Sequence, residues 1–131
     1  MKKIFVNSNY LIDYLRGKTY SKEVIDSVIK REIEASISVI TLFELYSGAF
    51  LSSNEDKRLE EIEQLIQWFN IINIDEKIIF TASKIYVSLR KKGKLIDIRD
   101  ILIAASALSR GLGILTLNKK HFRNIEGLKL E

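Results

Sequence analysis

The sequence predicts an α/β fold, a central and mainly parallel sheet of four to five strands covered by helices. Three observations carry this expectation. Short runs rich in Ile and Val recur at 3–7, 35–39, 71–74 and 113–117, as expected for strands buried between helices. The segments between them place apolar residues at helical spacing. Strand and helix alternate along the chain, and that alternation supplies the crossovers that parallel pairing requires.

The elements follow in order. KIFVN at 3–7 is the first strand and leads into a helix from Asn9 to Arg16. Ser21 to Glu32 is helical, with Val24, Ile25, Val28 and Ile29 on one face. ASISV at 35–39 is the second strand, followed by a helix from Thr41 to Leu51. From Asn54 to Phe69, Leu59, Ile62, Leu65, Ile66 and Phe69 form an apolar stripe opposite Glu60, Glu61 and Glu63. IINI at 71–74 is the third strand, and Asp75 to Lys92 is the next long helix. Ile98 to Arg110 carries Ala104, Ala105 and Ala107, small enough to lie close on a sheet, and stops at Gly111. GILTL at 113–117 is the fourth strand, and a short last one is expected at 128–130. Gly17–Tyr20, Ser52–Asn54 and Gly93–Asp97 are the main loops. Nothing divides the chain, so residues 1–131 are expected to form one domain.

Composition removes several chemistries. There is no cysteine, which excludes disulfides, thiolate nucleophiles and zinc–thiolate sites. A single histidine, His121, excludes multi-histidine zinc sites, and no serine lies in a nucleophile elbow. Gly111-Leu-Gly113 is no dinucleotide loop, because it ends a helix and enters a strand. No apolar run is long enough for a membrane span, and the N-terminus lacks the pattern of a secretory signal, so a cytoplasmic location is expected. The net charge of +4 is uneven: Arg90 to Glu131 holds ten Lys/Arg against four Asp/Glu, net +6, leaving eleven against thirteen, net −2, for residues 1–89. The basic end is the expected nucleic-acid face.

In open parallel sheets, ligands bind beyond the carboxyl ends of the strands. Polar residues cluster there: Asn7, Ser8 and Asn9 after the first strand, Thr41 and Glu44 after the second, Thr116 and Asn118 after the fourth, and Asp97 with Asp100 at the start of a helix. Taken singly, each is an ordinary cap; Thr41-x-x-Glu44 matches a capping box, and Asp97-x-x-Asp100 is close to one. Taken together, gathered carboxylates repel unless a cation joins them, and oxygen ligands without His or Cys point to Mg2+ or Mn2+. Acids that hold a divalent ion beside a basic surface suit phosphodiester hydrolysis.

Four segments, VNSNYLIDYLRG, SVITLFELYSGA, RKKGKLIDIRDILIAASALSRG and ILTLNKKHF, resemble in order and spacing the PIN-domain ribonucleases of the VapC type, toxins of bacterial and archaeal toxin–antitoxin pairs. The resemblance implies the three-layer PIN fold, an RNA substrate, a VapB-type antitoxin partner, a homodimer and a Mg2+ or Mn2+ cofactor. It maps the family's metal-binding acids to position 7, Glu44 and Asp100, and its fourth position to Asn118 with Thr116 beside it. Ser8 falls on a pocket-lining hydroxyl and Asn9 on a structural amide. Asp97 is a fourth acid or an N-cap, and the cap is preferred. His121 is read as structural or close to RNA rather than a general base, and Trp68 as core or partner groove.

Asn7 departs from the pattern, since the family has Asp there. A carboxamide keeps the size and one carbonyl oxygen, removes a charge and adds NH2 donors. The expectation is a chain impaired as a nuclease, whether by a deliberate Asp-to-Asn change or by natural degeneration. The alternative is a non-catalytic RNA- or protein-binding module on the same fold.

Overall fold

The computed structural model describes residues 1–131. In chain order the elements are β1 (Lys2–Val6), α1 (Ser8–Leu15), α2 (Thr19–Ile29), β2 (Ile33–Ser38), α3 (Val39–Leu51), α4 (Glu55–Ile66), β3 (Asn70–Ile72), α5 (Glu76–Lys91), α6 (Ile98–Ser109), β4 (Ile114–Leu115) and α7 (Lys119–Phe122). The four strands pair in the order β3-β2-β1-β4, and every pairing is parallel.

Side-chain alternation along the strands sorts the core into two halves. Ile4 and Val6 of β1, with Ala35 and Ile37 of β2, pack with Leu11, Ile25, Leu45 and Ile62 from α1, α2, α3 and α4. Phe5, Ile72 and Ile114 face the other way, toward Ile78 and Leu89 of α5, Ala104 and Ala105 of α6, and Phe122 of α7. The result is a helix–sheet–helix sandwich. The alanines of α6 are fully buried, so their size lets that helix approach the sheet closely. No helix is long and apolar enough to cross a membrane.

Several boundaries differ from expectation. The fourth strand covers two residues rather than 113–117, because the Thr116 hydroxyl accepts the Asn118 N–H at 3.0 Å and turns the chain out of the ladder. The strand expected at 128–130 is a single bridge, Ile114 to Leu130, so the sheet has four strands. Phe122, fully buried, anchors a short α7 that periodicity did not signal. Thr41 does not cap α3: Ser38 does, its Oγ accepting the Ile40 N–H at 3.0 Å, and Thr41 lies buried within the first turn. α4 ends at Ile66 rather than Phe69, and Phe69 is drawn into the core as the chain turns toward β3.

Candidate active site

The strand order defines the site. From β1 the chain steps to β2 and β3 on one side and returns to β4 on the other, so the order reverses between β1 and β4. At such a switch point the flanking connections part and leave a crevice beyond the carboxyl ends. Val6 pairs with Leu115, so the next residues out, Asn7 and Thr116, meet there. The Asn7 Nδ2 donates to Thr116 Oγ1 at 2.9 Å, and the Asn7 backbone N–H donates to the Leu115 carbonyl at 2.9 Å.

Asn7 also caps α1, its Oδ1 accepting the Ser8 N–H at 2.9 Å. Both ends of the amide are therefore engaged, which sets its orientation. Its residue exposure is only 4%. Ser8 Oγ donates to Glu44 Oε1 at 2.7 Å. With that proton committed, the Thr41 hydroxyl, 2.8 Å away, is the donor to Ser8 Oγ. A chain Thr41–Ser8–Glu44 thus links α3 to α1 and leaves the second Glu44 oxygen on the side of Arg99.

The acids opening α6 have separate roles. Asp97 is the N-cap, its Oδ1 accepting the Arg99 N–H at 2.8 Å. Its two oxygens also hold Arg99 through Nε at 3.0 Å and Nη2 at 3.1 Å. The Arg99 guanidinium beside it keeps the Asp97 carboxyl below the usual carboxylate range. Asp100, one turn on, has Oδ2 at 2.9 Å from His121 Nδ1. Arg99 Nη1 lies 3.8 Å from Glu44 Oε2, an ion pair beyond hydrogen-bond length. Asn118 is exposed and enters through its backbone N–H on Thr116. Asn9 follows Ser8 with both polar side-chain atoms buried and without a protein partner.

The structure thus brings Asn7, Ser8, Thr41, Glu44 and Thr116 into one bonded cluster. It sets Arg99, clamped by Asp97, against Glu44, and His121 against Asp100. No sequence pattern signals Arg99 or the His121–Asp100 contact. The former was legible only as DIRD, and the latter joins residues 21 positions apart.

No three Asp, Glu or His side chains come together as a metal-holding group. The remaining donors are hard oxygens: the Glu44 and Asp100 carboxylates and the amide carbonyls of Asn7 and Asn118. One or two carboxylates completed by substrate oxygens are the usual Mg2+ set, and the donor types here are of that kind, with one charge fewer than an acid at position 7 would give.

A family model described as PIN domain matches residues 4–128. Ribonuclease VapC1 of Methanocaldococcus jannaschii is 36% identical, covering 98% of this chain and 86% of its own. The tRNA(fMet)-specific endonuclease VapC of Shigella flexneri is 29% identical, covering 100% and 98%. Among solved structures, the DNA-bound VapBC complex of Salmonella typhimurium superposes with a TM-score of 0.89 at 29% identity, covering 100% of this chain and 98% of that one. With the parallel 3-2-1-4 sheet and these matches along almost its whole length, the chain belongs to the PIN-domain family, in its VapC ribonuclease branch.

Proposed function

We propose that this chain is the endoribonuclease toxin of a type II toxin–antitoxin pair, cleaving RNA in the cytoplasm at the β1/β4 switch point. The observation that carries this is the bonded cluster of Asn7, Ser8 and Glu44 at the carboxyl end of β1, in a chain matched almost end to end by VapC ribonucleases. The tRNA specificity named for the Shigella relative makes tRNA the first substrate to try.

Glu44 and Asp100, with the carbonyls of Asn7 and Asn118, would hold Mg2+ or Mn2+. When bound, such an ion supplies Lewis-acid activation of water and neutralises charge at the leaving oxygen. The chain's own residues prepare the place. Ser8 fixes one Glu44 oxygen and leaves the other without a hydrogen bond, 3.8 Å from Arg99. Asp100 holds the His121 ring at the rim, where the second ring nitrogen is free to meet RNA. Asp97 serves as cap and clamp rather than as a fourth ligand.

Asn7 lowers this capacity. Its amide adds no charge, and its Oδ1 and Nδ2 each already make one hydrogen bond, with the Ser8 N–H and with Thr116, so only the second lone pair of Oδ1 is left for an ion. We therefore read this chain as impaired, and the same observation favours the second reading, a PIN-fold module that binds RNA or protein without cutting.

The expected partners are a VapB-type antitoxin and a second copy of the chain. Support comes from apolar side chains left on the surface, among them Phe43 and Phe50 of α3 and Phe80 of α5. Cleavage of a tRNA pool with Mg2+ by the Asn7→Asp form, lost on adding Glu44→Ala or Asp100→Ala, is the expected result. Equal cleavage by the Asn7 and Asn7→Asp proteins would remove the claim of impairment. Binding without cleavage by both forms would establish the binding module.

A further inference from the structure

We propose that Arg99 is a substrate-contacting residue of this site, a pre-set guanidinium that takes a non-bridging oxygen of the RNA phosphate lying against Glu44 and Asp100. The inference rests on the ribonuclease reading above and assigns a role to a side chain that the acid pattern leaves unexplained.

Arg99 is the one Lys or Arg whose side chain pairs with an acid of the cluster. Its conformation is not free: Asp97 grips Nε and Nη2 at 3.0 and 3.1 Å, while the same carboxylate caps the helix through the Arg99 N–H at 2.8 Å. Rotamer entropy is therefore largely spent before any ligand arrives. A guanidinium has five N–H donors, and Asp97 takes two. The Nη1 edge faces Glu44 Oε2 at 3.8 Å, too far for a hydrogen bond, and the side chain is 48% exposed. Donors thus stand unspent beside the carboxylate that a phosphate group must approach.

The placement also suits the chemistry. Attack at phosphorus adds negative charge to the non-bridging oxygens, and a fixed guanidinium a few ångströms from the acids stabilises that charge without reorganisation. Arg99 occupies the first turn of α6, where the helix dipole also favours an anion. With a carboxamide at position 7 the local negative charge is one lower, so the guanidinium is less fully countered and more available to phosphate.

The test is fluorescence anisotropy of a fluorescein-labelled mixed tRNA pool against the Asn7 protein across a salt series. Arg99→Gln should weaken binding roughly tenfold and lower the salt slope by about 0.7 to 0.9. Arg99→Lys should keep the slope but lose part of the affinity, since an ammonium cannot be gripped by both Asp97 oxygens. Lys30→Gln, at the opposite end of the sheet ahead of β2, should change neither. The circular dichroism melt of Arg99→Gln, a half-exposed position, should stay close to the parent's. If the parent binds and Arg99→Gln binds as well with the same slope, the role assigned to Arg99 is wrong while the RNA reading stands. If the parent does not bind RNA, both go.

Discussion

Substituting Asn7→Asp alters the site by one charge and almost no volume. The side chain is 4% exposed, so the change is felt in full. The new carboxylate keeps the cap on Ser8 N–H, now 2.9 Å long, and at the N-terminus of α1 it gains about 0.3–1 kcal/mol from the helix dipole. The bond to Thr116, donated by Asn7 at 2.9 Å, must reverse, and the Thr116 hydroxyl proton is able to turn toward the acid. Against these stands a further carboxylate close to Glu44, which is bonded to the neighbouring Ser8. Two unit charges about 7 Å apart at an effective dielectric of about 20 repel by about 2 kcal/mol, the scale expected for acids joined through one serine. Without divalent ions the variant should therefore be less stable by about 1–2 kcal/mol, or about 3–10 °C in Tm for a chain of this size. Millimolar Mg2+ should recover this and more, because occupancy at a hundred times Kd adds about 2.7 kcal/mol. The parent, with one charge fewer, should gain less. The assay is a thermal melt followed by circular dichroism in EDTA and in MgCl2, with tRNA cleavage read in parallel. A variant that melts with its parent in EDTA, gains no more from Mg2+ and cuts no faster would refute this account of position 7.

Three further outcomes are expected. Thr116→Val removes the acceptor of both the Asn7 amide and the Asn118 N–H and should cost about 2–4 kcal/mol by urea unfolding; a loss under about 0.5 kcal/mol would mean that water replaces the hydroxyl at no penalty. Glu44→Gln keeps an oxygen for Ser8 but deletes a charge from the proposed metal set, so in the Asn7→Asp background cleavage should be lost with the melt little changed; retained cleavage would remove Glu44 from the metal set. Stability should also depend on acid pH through Glu131. Hydrogen bonding to Lys2 holds its carboxyl below the ordinary 4.5, so its contribution is complete above that value and is lost as the pH falls through the depressed folded pKa. The urea midpoints of the parent and Lys2→Met should differ at neutral pH and converge in acid; a constant gap across that range would exclude the pair as the cause.

The alternation of Ile/Val runs with amphipathic segments carried most of the architecture, since burial between two helical layers demands that pattern. The caps were legible in part: Asn7 and Asp97 stand where helices start, each accepting a backbone N–H, whereas α3 is capped by Ser38 and not by Thr41. Less legible were elements whose limits depend on distant partners. β4 shrinks because Thr116 bonds its own chain and Asn7, and α7 exists because Phe122 has a place in the core. Neither cause has a local periodicity.

For the site, the sequence by itself determined which donors are available: oxygen ligands, no thiol, a single imidazole and an amide where the family has an acid. Ordering of strands also followed from length and pattern only as far as parallel pairing. The tertiary structure alone decided how those donors are spent. It commits Ser8 to Glu44 and His121 to Asp100, contacts spanning 36 and 21 positions, and brings Arg99 against Glu44, 55 positions away. Composition and spacing report which groups exist near a strand end. Which of them share a proton or a charge is set by side-chain direction across a sheet whose order reverses at β1, and no local pattern encodes that.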